Sequence, residues 1–259
     1  MRTETVKSDL VQWHKAEYWD KPWNPWVGCF PVSPACDNCY ARVAMEDRFS
    51  KSFLPHRTKK VHPPTKGVVF CGNMTDLFGD WIVEAEMTGM IADAALKKAS
   101  DVYYIWCTKR VPAMKVCLEY FGGHLRDPSR WFSNSCFGFT AENQQMFDSR
   151  FKCANAFPEW ANVWVSAEPL LGPINLGMPD HLVGGGTRIK WVAVGCESGK
   201  NRRPCRMEWI EDVVQQCRDA GVPCFVKQLD IDGKCERDIS KFPEHLRIRQ
   251  VPWHKGGKT

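Results

Sequence analysis

The stretch VVFCGNMTD, residues 68–76, runs four apolar side chains into a glycine turn and ends on a carboxylate. The same design returns along the chain. VYYIWC (102–107) leads into Thr108 and Lys109, CFGFT (136–140) into Glu142, and VWVSA (163–167) into Glu168; WVAVG (191–195) leads into Glu197, and PCFVK (223–227) into Gln228. Short, nearly continuous apolar runs bounded by turns are the form taken by parallel strands buried on both faces. Between them lie WIVEAEMTGMIADAALKKAS (81–100) and MEWIEDVVQQCRDAG (207–221), whose apolar residues recur at three and four positions; in the second a glycine stands at the C-cap. Strand and helix alternating at about thirty-residue intervals predicts βαβ units around a parallel sheet.

Such units build either a doubly wound sheet or a barrel, and the polar residues decide between them. They fall at the C-terminal end of every predicted strand, the end that carries the site in (β/α) barrels. A dinucleotide-binding sheet would open with G-x-G-x-x-G after its first strand; the only comparable run, GGGT at 184–187, precedes a strand and reads as a linker. The expectation is α/β, a partial TIM-type (β/α) barrel. It forms one domain over 1–259, with an N-terminal loop at 23–40 and a C-terminal extension at 229–259. Any single charge at a strand end could cap a helix or face solvent. Six in register place ionisable groups at a barrel mouth, where burial is costly unless a ligand or partner satisfies them. Carrying both signs, that mouth suits a zwitterionic ligand.

The N-terminal loop WNPWVGCFPVSPACDNCYARVAM carries Cys29, Cys36 and Cys39 in the spacing C-x6-C-x2-C, followed at once by a helix-like run. A closed structural zinc site takes four protein ligands, whereas an iron–sulfur cluster on three thiolates leaves one iron open. Zinc completed by His14 or Cys71, or three plain reduced thiols, are the other readings of the spacing. Trp19, Trp23 and Trp26 crowd the loop, as a dry lid over the site or as a base-stacking platform.

At 259 residues and 44% hydrophobic content the chain can bury one large core. Thirteen cysteines would suit a secreted disulfide scaffold, yet the chain is long for that class and MRTETVKSDLVQWHKAEYWD holds no apolar leader, so a reducing, cytoplasmic setting is expected. No run of eighteen apolar residues occurs, and no membrane partner is expected. A net charge of +5 is too mild to name a nucleic-acid partner, although HRTKK (56–60) and KNRRPCR (200–206) are locally basic.

Taken in order, WNPWVGCFPVSPACDNCYA, GNMTDLFGDW, WCTKR, GFTAEN, VSAEPLLGPINL, WVAVGCESGKNRRPCRMEW and PCFVKQ resemble the phage-encoded three-cysteine-motif family, long catalogued as a domain of unknown function and similar to radical S-adenosylmethionine (SAM) proteins. The likeness covers most of 23–228. It implies a [4Fe-4S] cluster on Cys29, Cys36 and Cys39, with SAM on the open iron. Gly72, Asn73 and Asp76 would meet the SAM amino group, Lys109 its carboxylate, and Thr140 and Glu142 its ribose hydroxyls. Glu168, Glu197, Lys227 and Gln228 would face substrate as catalytic groups. Phage members are linked to thymidine hypermodification, so the resemblance implies hydrogen abstraction at an amino-acid α-carbon and isomerisation of a nitrogen-linked thymidine adduct to a carbon-linked one. The partners would be modified DNA or a nucleoside, and an electron donor such as flavodoxin or ferredoxin. Arg202, Arg203 and Arg206 would hold phosphates while the modified base leaves the stack. A radical lyase of the spore-photoproduct type, a radical enzyme on another base or small molecule, and a non-catalytic zinc-binding module are the alternatives.

Overall fold

The computed structural model describes residues 11–12, 15–177, 188–199 and 201–253. The first strands are β1 (Val11–Gln12), β2 (Lys21–Trp23), β3 (Trp26–Val27), β4 (His56–Arg57), β5 (Gly67–Cys71) and β6 (Val102–Thr108). They are followed by β7 (Ser135–Thr140), β8 (Val163–Ala167), β9 (Ile189–Gly195), β10 (Cys224–Ile231), β11 (Lys234–Glu236) and β12 (Gln250–Val251). The helices are α1 (Tyr40–Val43), α2 (Glu84–Ala95), α3 (Val111–His124), α4 (Pro128–Trp131), α5 (Gln144–Ala154) and α6 (Met207–Asp219).

Eight strands form the main sheet in the order β11-β10-β9-β8-β7-β6-β5-β2. All neighbours are parallel except the hairpin β10–β11. From β5 to β10 each strand is added on the same side of the one before it, so the sheet has no point of reversal of the kind that defines a doubly wound fold. A flat sheet would hold β5 and β10 about 24 Å apart at 4.8 Å per step. Yet the Tyr18 ring lies 6.0 Å from Phe70 on β5 and 5.4 Å from Phe225 on β10. The sheet is therefore curled, and the architecture is a partial (β/α) barrel whose end strands β2 and β11 do not pair.

Alternation along the strands sorts side chains to the two faces. Val69, Cys71, Tyr104, Trp106, Phe137, Phe139, Val165 and Val194 pack outward in one core with Met90, Met114, Phe151 and Val213 of the helices. Val68, Ile105, Cys136, Trp164, Trp191 and Phe225 point inward. There Trp164 and Trp191 pack at a tilt with ring centres 4.7 Å apart beneath Tyr18, and Trp253 closes on Trp191 at 4.9 Å. This aromatic plug fills the lower barrel, and a cavity opens at the C-terminal strand ends. Gly138 makes the plug possible: a Cβ there would stand 2.3 Å from the Trp164 indole nitrogen, which donates to the Trp106 carbonyl at 2.8 Å.

The predicted strands all occur, and VWVSA keeps its bounds. The predicted helix at 81–100 is shorter, Glu84–Ala95, with Glu84 and Glu86 in its first turn where a helix N-terminus favours negative charge. The extension expected from 229 begins inside β10, which runs to Ile231 and turns back as β11. The predicted linker at 184–187 and His14 lie outside the described residues. Among the described residues no helix is long and apolar enough to cross a membrane.

Candidate active site

A cavity of about 330 Å³ opens above the aromatic plug, between the strand ends and the cysteine loop. Its size falls in the range of small-molecule and cofactor sites. Inward positions at the ends of β5 to β10 supply Phe70, Cys107, Thr140, Ser166, Glu168 and Lys227, so the period-2 pattern of the strands itself delivers the polar wall. Cys29, Cys36 and Cys39 border the same cavity from the loop.

The loop enters at Gly28, whose φ of +92° and close approach to the Leu54 carbonyl, 2.3 Å from where a Cβ would be, admit only glycine. Cys29 and Cys39 pack beside Ala41, Met45 and Phe53. All three thiols are free. Among the described residues no three His, Cys, Asp or Glu side chains converge as a single-ion site requires. One zinc would draw its sulfurs to within about 4 Å of each other, given Zn–S bonds of about 2.3 Å. A cluster bonds each thiolate to a different iron, and the chemistry of the donor set, three free thiols lining one cavity, suits that group. Burial pushes the Cys29 thiol up and the Asp76 charge adds to it; the Arg110 guanidinium, 3.7 Å from Sγ, opposes both.

Two cationic features stand in the wall. Lys109 has no carboxylate within ion-pair distance of Nζ among the described residues; burial works against its charge, but Cys36, Cys107, Glu142 and Asp76 more than compensate and raise its pKa. Lys227 lies 3.1 Å from both Glu168 and Glu17 and 5.3 Å above the Tyr18 ring. Burial raises the Glu168 pKa and Lys227 only partly restores its charge. One Glu168 oxygen, Oε1, is buried with no hydrogen-bond partner among the described residues. A buried acceptor left unmade costs about 1–3 kcal/mol, so this oxygen marks where a ligand donor belongs.

Gly72, Asn73, Thr140 and Lys109 line the cavity. Asp76, Gln228 and Glu197 line it too and are also engaged within the chain. Asp76 accepts from Thr108 Oγ1 at 2.7 Å, the Phe78 and Lys109 amides at 3.1 and 3.0 Å, and Arg110 at 3.3 Å. Gln228 donates to the Cys196 carbonyl and accepts from Arg237. Glu197 is paired with Arg203 and accepts from Asn38 at 3.0 Å. Glu142 does not reach the cavity wall: fully buried, it pairs with Arg150 at 2.6 Å and accepts from the Ala35 amide at 3.3 Å. Burial opposes the Glu142 charge, yet Arg150 holds its carboxyl below the ordinary range.

The basic loop is neutralised internally. Arg202 bonds Asp230 through both terminal nitrogens, at 3.2 and 3.4 Å. Arg203 forks onto Glu197 and reaches the Pro34 carbonyl at 2.9 Å. Arg206 stays exposed over the Trp209 ring at 5.7 Å, and Lys200 lies outside the described residues. Of the three tryptophans expected over the loop only Trp19 borders the cavity; Trp23 is buried against Trp106, and Trp26 bonds Glu86 at 2.8 Å.

Arg110, Arg150 and Asn38 escaped the sequence reading. Arg110 directly follows Lys109 in WCTKR, a signal that was present; Arg150 and Asn38 carry none, since their partners are set by the fold.

Two solved structures of spore photoproduct lyase are similar, one complexed with a dinucleoside spore photoproduct and one a mutant. Each shows 11% identity and a TM-score of 0.45, covering 77% of this chain and 61% of the other. The chain thus spans about three fifths of the length of those structures. No curated protein matches in sequence. Residues 14–241 match the family described as a protein of unknown function, DUF5131, and the chain belongs to that family.

Proposed function

We propose that the chain is a radical SAM enzyme. The observation that carries the reading is the meeting, around one cavity at a barrel mouth, of three free thiols with an ammonium and a buried carboxylate oxygen that, among the described residues, have no carboxylate and no hydrogen-bond partner respectively. Cys29, Cys36 and Cys39 would hold the [4Fe-4S] cluster. When bound, the cluster and SAM supply an electron and a 5′-deoxyadenosyl radical that takes a hydrogen atom from substrate.

The chain's own residues bind and orient. Lys109 offers its charge to a carboxylate, that of SAM or of an aminoacyl substrate. Glu168 Oε1 accepts an N–H or O–H from the substrate, with Lys227 beside the carboxylate favouring its charged form against burial. The aromatic plug under Tyr18 excludes water from below. The finer reading is isomerisation of an amino-acid-modified thymidine by a phage-encoded enzyme in the host cytoplasm, served by a flavodoxin or ferredoxin. It is supported by the motif resemblance and by a wall of both signs suited to an amine and a carboxylate. Arg206, exposed and cationic, is the basic-loop residue available to a phosphate.

Anaerobic purification with iron and sulfide analysis, then incubation with SAM and dithionite, tests the reading; 5′-deoxyadenosine is the expected product. Alanine at Cys29, Cys36 or Cys39 should remove the chromophore, whereas alanine at Cys107 or Cys196 should keep it. A preparation holding one tight zinc and refusing reconstitution refutes the enzyme assignment. Cleavage of SAM with nitrogen-linked aminoacyl-thymidine DNA left untouched refutes only the isomerase.

A further inference from the structure

The cysteine loop is poorly served by the forces that order the rest of the chain. Phe30 and Val32 are half exposed. Between residues 30 and 39 the backbone-to-backbone bonds are local, Cys36 to Ser33 and Asp37 to Pro34; those tying the loop to the barrel, Gly28 to Met74 and Cys29 to Phe53, lie at its start. Besides the burial of Ala35 and Cys36 and a local Ser33–Cys36 contact, the segment 34–38 is held by groups at the ends of β7 and β9 and in the loop that follows β9. Glu142 takes the Ala35 amide, Arg203 donates to the Pro34 carbonyl and the Asp37 carboxylate, and Asn38 donates to Glu197 and to the Asn201 carbonyl. Both carboxylates are buried and already ion-paired, which makes them fixed posts.

We infer that Glu197, Arg203, Glu142 and Asn38 are positioning residues. They clamp the segment 34–38, which carries Cys36 and leads into Cys39, to the end of β7 and to the end of β9 and its following loop, presenting those two thiols in one geometry before any ligand arrives. Cys29 is held separately by Arg110, which donates to its sulfur and to the Phe30 carbonyl at 3.0 Å and is itself anchored on Asp76. Pre-ordering matters because a free loop would lose conformational entropy on every binding event. The clamp stands on geometry alone; only its iron-binding consequence rests on the function proposed above.

The test is residue-resolved alkylation of the metal-free full-length chain by iodoacetamide, read by mass spectrometry, in Arg203→Ala, Glu197→Gln and the milder Asn38→Ala. Cys36 and Cys39 should react about tenfold faster in Arg203→Ala, the response of a segment whose local opening has lost a set of charge-assisted hydrogen bonds. Cys29 should change less than about twofold, being tied through an independent pair, as distant sites are nearly additive. Buried Cys117 and Cys136 should not change, and Arg203→Lys, which keeps the charge but not the fork, should fall between wild type and alanine. Unchanged Cys36 reactivity in all three variants overturns the inference. So does an equal rise at Cys117 and Cys136, since the whole fold would then have loosened. A selective rise at Cys36 and Cys39 in a chain that takes up no iron upholds the clamp and refutes the function proposed above. In reconstituted protein, Arg203→Ala should release iron to a chelator faster than wild type. Iron release that rises while thiol reactivity stays fixed would make Arg203 part of the binding set and overturn its positioning role.

Discussion

Replacing Lys227 with Met is the sharpest probe of the cavity wall. Nζ stands 3.1 Å from Glu168 and from Glu17, with 18% of the lysine and 11% of the Glu168 side chain exposed. At that distance and an effective dielectric of 20 the Coulomb attraction is about 5 kcal/mol for one pair, before the cost of removing both charges from water. Truncation leaves Glu168 buried without its cation, and the net loss expected for breaking such a pair is about 3–5 kcal/mol. Glu17 is more exposed and adds little. The loss depends on pH. Burial already raises the Glu168 pKa above its ordinary 4.5, and without Lys227 it must rise further. A carboxyl with a raised folded pKa destabilises the native state as pH climbs through the interval between unfolded and folded values, by up to about 1.4 kcal/mol per pH unit. The deficit of Lys227→Met should therefore be smallest near pH 4.5 and grow toward neutrality, and Glu168→Gln in the same chain should remove that growth. Urea unfolding of metal-free protein at several pH values measures it. A deficit below about 1 kcal/mol at pH 8, or one that is flat with pH, would refute the buried-pair account.

Lys109→Met should raise the Kd for SAM about 10- to 100-fold in calorimetry on reconstituted protein, the worth of a hydrogen bond to a charged group, while iron content stays at the wild-type level. Glu142 and Glu197 have pKa values held below the ordinary 4.5, against burial, by Arg150 and Arg203. Their stabilisation is present above that value and lost as pH falls through the folded ones, so Glu142→Gln should flatten the acid limb of the stability profile by up to about 1.4 kcal/mol per pH unit, followed by thermal unfolding between about pH 3 and 6. Gly28→Ala should cost about 2–3 kcal/mol in urea and lower iron uptake, because φ is +92° and the new Cβ meets the Leu54 carbonyl; an unchanged unfolding midpoint would show that the loop entry relaxes.

The sequence by itself determined the sheet. Apolar runs such as VWVSA and VYYIWC are long enough and close enough to their helices that only parallel strands fit, and their period-2 alternation already decides that Thr140, Glu168 and Lys227 share one face. It also marked the three thiols, since cysteines in one short loop stay together in any fold. What it left undecided is the partner of each charge. Glu142, Glu197 and Asp76 end their strands just as Glu168 does, and nothing local distinguishes them. Only the curling of the sheet brings Arg150 of α5, Arg203 of the basic loop and the cysteine loop onto them, so that three groups expected to meet a ligand are held within the chain. Pairing between residues more than a hundred positions apart, such as Ala35 with Glu142, is set by which strand ends become neighbours. Strand register and curl, settled by the packing of Tyr18, Trp164 and Trp191 in the barrel floor, make that choice, and a one-dimensional pattern carries no record of it.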